Sequence, residues 1–164
     1  MTALGKLRRK MRGIPRVEAV KMIHEACVEY LARKASRKGS ALSAPKDVAD
    51  FCRMKWGPEA VEVAAILALD SRNRVIEVLE LSRGTVDRAA VFPREVARQA
   101  LRANAAALIF VHNHPSGNPE PSDMDRALTR EIGVALHAVG VRLLDHVVVG
   151  EEGSFSFKEH GLDL

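Results

Sequence analysis

The chain has 164 residues, 25 Lys/Arg against 21 Asp/Glu, and 47% hydrophobic residues. That length suits one compact domain with a short appendage and excludes two full domains, and the apolar share excludes wholesale disorder. The formal charge of +4 is unevenly placed: residues 1–38 hold 11 Lys/Arg against 3 Asp/Glu, whereas residues 39–164 hold 14 against 18. A basic segment such as Lys6 to Arg12 can make weak contact with nucleic acid by releasing condensed counterions, or can serve solubility alone. One Trp and one Tyr leave little for base stacking. Cys27 and Cys52 lie outside any Cys-x-x-Cys spacing and are read as reduced and packed. No apolar run approaches the roughly 18 to 20 residues of a spanning helix, and the first residues lack a signal-peptide core, so a cytoplasmic protein with no membrane contact is expected. The oligomeric state is left open.

After the break at Gly13-Ile14-Pro15, apolar positions at Val17, Val20, Ile23, Cys27 and Leu31 predict a helix over about 16–35. Ser43 can cap a shorter helix with Pro45 in its first turn and Val48, Phe51 and Cys52 on one face, stopped by Gly57-Pro58. The nearly all-apolar run Ala60 to Leu69, the turn Asp70 to Asn73 and the alternating Val75, Glu77, Leu79 predict an antiparallel hairpin. Pro93 to Asn104 reads as a helix and Ala105 to Val111 as a strand. A loop from His112 to Pro121 leads into a helix over about 123–139, with Met124, Leu128, Ile132, Leu136 and Val139 as its inner stripe and Gly140 as its stop. Val141 to Val149 and Ser154 to Lys158 form a closing hairpin. The sum is an α+β fold with helices packed on a sheet.

The chemistry concentrates between Val111 and Asp125. His112 and His114 stand two apart at the end of an apolar strand, a spacing that sets both imidazoles on one side. Asp125, in the first turn of the next helix, can face back across the loop and complete a two-nitrogen, one-oxygen set for Zn²⁺ with an open fourth position. The bland alternatives are a polar surface pair of histidines and a capping box in which Ser122 and Asp125 close the helix start.

His112-x-His114, seven residues from Pro115 to Pro121, then Ser122-x-x-Asp125 resembles the JAMM signature of MPN-domain metalloproteases and isopeptidases. The fuller string His-Asn-His-Pro-Ser-Gly resembles the RadC branch, as do Ser82-Arg83-Gly84-Thr85, Pro93-Arg94-Glu95, Leu144-Asp145-His146 and Phe155-Ser156-Phe157. The resemblance spans about residues 42–162. It implies a three-layer, cytidine deaminase-like arrangement of a mixed sheet flanked by helices over 42–164; the charge and apolar spacing of 1–41 make that segment a basic N-terminal helical extension. The resemblance further implies His112, His114 and Asp125 as zinc ligands and Ser122 as a site residue that helps polarise the substrate.

The family also carries a glutamate upstream of the histidines. Glu62 matches it best, Glu59 being the nearest rival, and a carboxylate within Val61-Glu62-Val63-Ala64 is otherwise costly unless it points to water. Asn113 stands where Ser or Thr is common elsewhere in the superfamily and matches the RadC branch. The implied activity is metal-assisted hydrolysis of a protein or peptide amide: zinc activates water, and Glu62 takes its proton and returns it to the leaving amine. The alternative is a DNA-repair-associated or DNA-binding accessory protein without peptidase activity, although residues 1–40 show no Gly-rich hairpin module. His-Asn-His is not the dispersed motif of HNH nucleases, and no Pro-Cys-x-x-Cys supports a zinc deaminase. His146, after Asp145, is read as a structural hydrogen-bonding group, the alternative being a role behind the ligands or toward substrate. His24, His137 and His160 are assigned no function.

Overall fold

A computed structural model describes residues 13–15, 17–19, 21–22, 25–26, 45–84 and 91–164. Most of the segment expected as an N-terminal helical extension, Cys27 included, lies outside these residues. Short helical pieces occur at 17–19, 21–22 and 25–26.

Helix α1 (Pro45–Trp56) precedes strands β1 (Val63–Leu69) and β2 (Val75–Arg83); then come α2 (Pro93–Arg102), β3 (Ala107–Asn113), α3 (Asp123–Ala138), β4 (Arg142–Val149) and β5 (Ser154–Ser156). The sheet order is β2-β1-β3-β4-β5. β1 runs antiparallel to both β2 and β3, β3 is parallel to β4, and β5 returns antiparallel beside β4. The sheet is therefore mixed, and α3 is the crossover that parallel neighbours require.

Both faces of the sheet are covered, which explains why β1 and the Ala107 to Val111 part of β3 read as unbroken apolar runs. Odd-numbered side chains Val63, Ala65, Leu67, Ile109 and Val111 meet Val48, Phe51, Cys52 and Trp56 of α1. Even-numbered Ala64, Ile66, Ala68, Leu108 and Phe110 meet Val96 and Ala100 of α2 and Ile132 and Leu136 of α3. The three-layer α+β arrangement is the expected one. Among the described residues, no helix is long and apolar enough to cross a membrane.

Several boundaries differ from the sequence reading, each for a local reason. β3 begins at Ala107, the Ala105 amide being spent on the Ala100 carbonyl to close α2, and extends through Asn113, which pairs with Val149 of β4. β5 stops at Ser156 instead of reaching Lys158. The buried Asp145 carboxylate accepts from Ser156 Oγ at 2.6 Å and from the Lys158 amide at 3.0 Å, folding the chain back there. On α3 the inner stripe begins differently as well. Met124 and Val139 are 61% and 37% exposed, while Thr129, Ile132 and Leu136 are fully buried, so the inward row is Asp125, Thr129, Ile132, Leu136. Its polar start faces the end of β3.

Candidate metal centre

β3 places His112 on the α3 side of the sheet, in the row of Phe110 and Ala64, and His114 follows in the loop just beyond the strand. The loop is tethered at two points. The His114 amide bonds the Val149 carbonyl at 2.8 Å, and the Gly117 carbonyl accepts from the Glu152 amide at 3.0 Å. Gly117 sits at φ +88°, the left-handed region that glycine enters without a Cβ penalty. Ser122 then caps α3. Its Oγ accepts from the Asp125 amide at 3.2 Å, and Asp125 Oδ2 accepts from the Ser122 amide at 2.7 Å and from Ser122 Oγ at 2.6 Å. The capping box thus coexists with a site role for Asp125, both of whose oxygens also face the histidines.

His112 Nε2 and His114 Nε2 lie 2.9 Å apart. Asp125 Oδ1 is 3.2 Å from His112 Nε2 and Oδ2 is 3.4 Å from His114 Nε2. One donor atom from each residue falls within a 4.8 Å cluster. The three residues expected as ligands are thus brought to one point, His112 buried and the other two partly open to solvent.

The hydrogen bonds behind His112 decide which nitrogens carry hydrogen. The Asp125 carbonyl can only accept, so the Thr129 hydroxyl donates to it at 2.5 Å. Thr129 Oγ1 then accepts from His146 Nδ1 at 2.6 Å, and His146 Nε2 accepts from His112 Nδ1 at 2.8 Å. His112 Nε2 is left with a bare lone pair. His114 reaches the same tautomer separately, because its Nδ1, 2.9 Å from the Asn118 carbonyl, must donate. Two bare imidazole nitrogens and a carboxylate in such proximity repel one another unless a cation stands among them, so the donor set fits a metal such as zinc.

When no ion is bound, ring N–H groups take its place toward the carboxylate: burial works to raise the Asp125 pKa, yet hydrogen bonds from His112 and His114 hold it far below the usual carboxylate range. The hydrogen bond to Asp125 raises the His114 pKa, with the Asn118 carbonyl and the Asp125 and Glu62 charges adding to it. Desolvation, with the nearby His112, drives the His146 pKa well below normal. His146 is therefore neutral, and it is stacked on Phe157 and packed against Phe110, with ring centroids 4.5 Å and 4.7 Å away.

Glu62 lies just before β1, partly buried, and its charge is felt at His114. Glu59, the rival candidate, is paired to Arg83 at 2.6 Å. Thr129 escaped the sequence reading, because one threonine within a helical stripe carries no signal; only its place four residues after Asp125 on the same face could have pointed to it.

Residues 42–162 match the family model of the RadC-like JAB domain. A UPF0758 protein of Vibrio cholerae is 47% identical over 137 residues, covering 84% of this chain and 85% of that protein. Those of Marinobacter nauticus and Chromobacterium violaceum are 52% and 50% identical, covering 77% and 83% of this chain. The chain spans 56% and 62% of the length of these two relatives.

Proposed function

Because the chain belongs to the RadC-like JAB domain family, we propose that it is a zinc-dependent hydrolase cleaving an amide bond in a protein or peptide substrate. The observation that carries this reading is the convergence of His112 Nε2, His114 Nε2 and the Asp125 carboxylate, with both imidazoles held in the metal-binding tautomer. Zinc held there would supply Lewis acidity toward a water molecule and a carbonyl oxygen.

The chain's own residues would carry the rest. Glu62 takes the proton of the attacking water and delivers it to the leaving amine, a general acid–base contribution of about 10²- to 10⁴-fold. Ser122 Oγ gives its hydrogen to Asp125 Oδ2 at rest; turning it toward the developing oxyanion would stabilise the transition state. Thr129 and His146 keep the His112 lone pair aimed outward.

Elemental analysis before and after chelation, combined with a quenched-fluorescent peptide-amide library, tests the proposal. Wild type should hold one zinc and lose turnover on chelation. Asp125→Ala should lose the metal, whereas Glu62→Gln should keep it and lose turnover. Equal metal loss in both variants would contradict the division of roles. The basic stretch in 1–38 supports a separate, smaller proposal of weak polyanion contact, checked by whether DNA retention falls steeply with salt.

A further inference from the structure

We infer that Asn113 is a positioning residue for Glu62, its side-chain amide tying the backbone on both sides of that glutamate to the strand that carries the histidines. The inference rests on the hydrolase reading for what Glu62 does. Asn113 is fully buried and points to the α1 side, away from His112. Its Oδ1 accepts from the Val63 amide at 2.7 Å, and its Nδ2 donates to the carbonyls of Val61 and Glu59 at 3.1 Å and 3.3 Å. Those three partners permit one orientation of the amide: turned over, it would set NH₂ against N–H and oxygen against two carbonyls.

The need for this side chain comes from the course of β3. Backbone pairing between β1 and β3 runs as far as Ala64 opposite His112. Beyond that point the chain stays paired with β4 alone, Asn113 opposite Val149 and the His114 amide going to the Val149 carbonyl. The end of β1 is thereby deprived of a strand partner on that side, and Val61 and Val63 would bury an unpaired carbonyl and amide. The Asn113 amide fills the gap, while on the other side the Glu62 carbonyl accepts from the Gly84 amide at 2.8 Å. Glu62 is thus registered against the ligands by one side chain that lies between them in sequence. The ligands do not depend on it in return, since β4, Thr129 and His146 hold them.

An uncharged residue that touches neither substrate nor ion should therefore control turnover without controlling metal content. Asn113→Ala removes the whole clamp, Asn113→Asp keeps the acceptor and loses the donors, and Asn113→Ser covers the case in which alanine fails to fold. Zinc content, kcat and KM on the peptide-amide library, and amide hydrogen exchange should be measured for each in the full chain. The expected result is unchanged zinc, kcat down roughly 10- to 100-fold with KM little altered, and faster exchange at Val63 while β3–β4 amides keep their protection. In a Glu62→Gln background, Asn113→Ala should cost nothing further. Zinc loss in step with turnover, a multiplied loss in the double variant, or undisturbed Val63 exchange would overturn the inference. A Glu62→Gln protein that turns over like wild type would instead sink the underlying reading, and Val63 exchange would still decide whether the clamp exists.

Discussion

Thr129 has a single hydroxyl hydrogen, and where it goes sets the state of His112 two residues away along the hydrogen-bond chain. Thr129→Val keeps the shape and removes the acceptor for His146 Nδ1. His146 is then free to carry its hydrogen on Nε2, which pushes the His112 hydrogen onto the nitrogen that must bind metal. Zinc affinity should fall about 10- to 100-fold, and Thr129→Ser should retain it. Chelator competition measures the affinity, and long-range ¹H–¹⁵N spectra of the metal-free protein report the His112 tautomer directly. Equal affinity in the valine and serine variants would show that the hydroxyl does not govern the ligand. The three donors themselves were legible in the sequence, because they lie within fourteen residues, the strand period sets the two histidines on one side, and their spacing resembles the JAMM signature. Thr129 and His146 were not legible as a pair: 17 residues separate them, and only the parallel pairing of β3 with β4 sets Phe110 opposite His146.

At the scale of elements, the ligand loop is not self-supporting; it leans on the β4–β5 turn. Gly150 packs directly on the Gly117 carbonyl, and a Cβ there would collide with that backbone. Gly150→Ala should thus destabilise the protein by about 1–3 kcal/mol, the usual range for overpacking, and loosen the loop that carries His114, weakening zinc binding as well. Thermal unfolding with and without zinc checks both effects. No feature of the sequence distinguishes Gly150 from an ordinary turn glycine, since the collision is with a segment 33 positions away. Elements defined by local pattern were read well, including α1, the β1–β2 hairpin and α3; the cap expected at Ser43 lies outside the described residues. Misreadings came where a side chain or distant backbone took over a strand end, as at Asp145, or where a helix runs past the sheet, as at Met124 and Val139.

For the whole molecule, the two cores on opposite faces of one sheet share β1 and β3, so a cavity on either side should be felt globally. Ile132→Ala, a fully buried position of α3, is expected to cost about 2–5 kcal/mol, read from denaturant unfolding. The metal centre adds a pH-dependent component. His114 has a raised pKa when no ion is bound, so its pairing with Asp125 stabilises fully below the ordinary histidine value of 6.5 and fades as pH rises through the raised one. Asp125, with its depressed pKa, loses its contribution only at much lower pH. Zinc competes with the His114 proton, so the zinc-induced rise in Tm should be larger at pH 8 than at pH 6; equal increments would contradict that competition.

The parallel partnership of β3 and β4 also has a consequence for synthesis. A chain growing from its amino end presents His112, His114 and Asp125 to solvent before β4 has emerged from the ribosome. During that interval the donors exist without the buttress of His146 and Val149, and a nascent chain halted after Ala138 would hold an ion loosely and with little selectivity. Secure capture waits for β4, so maturation of the site is tied to completion of the sheet.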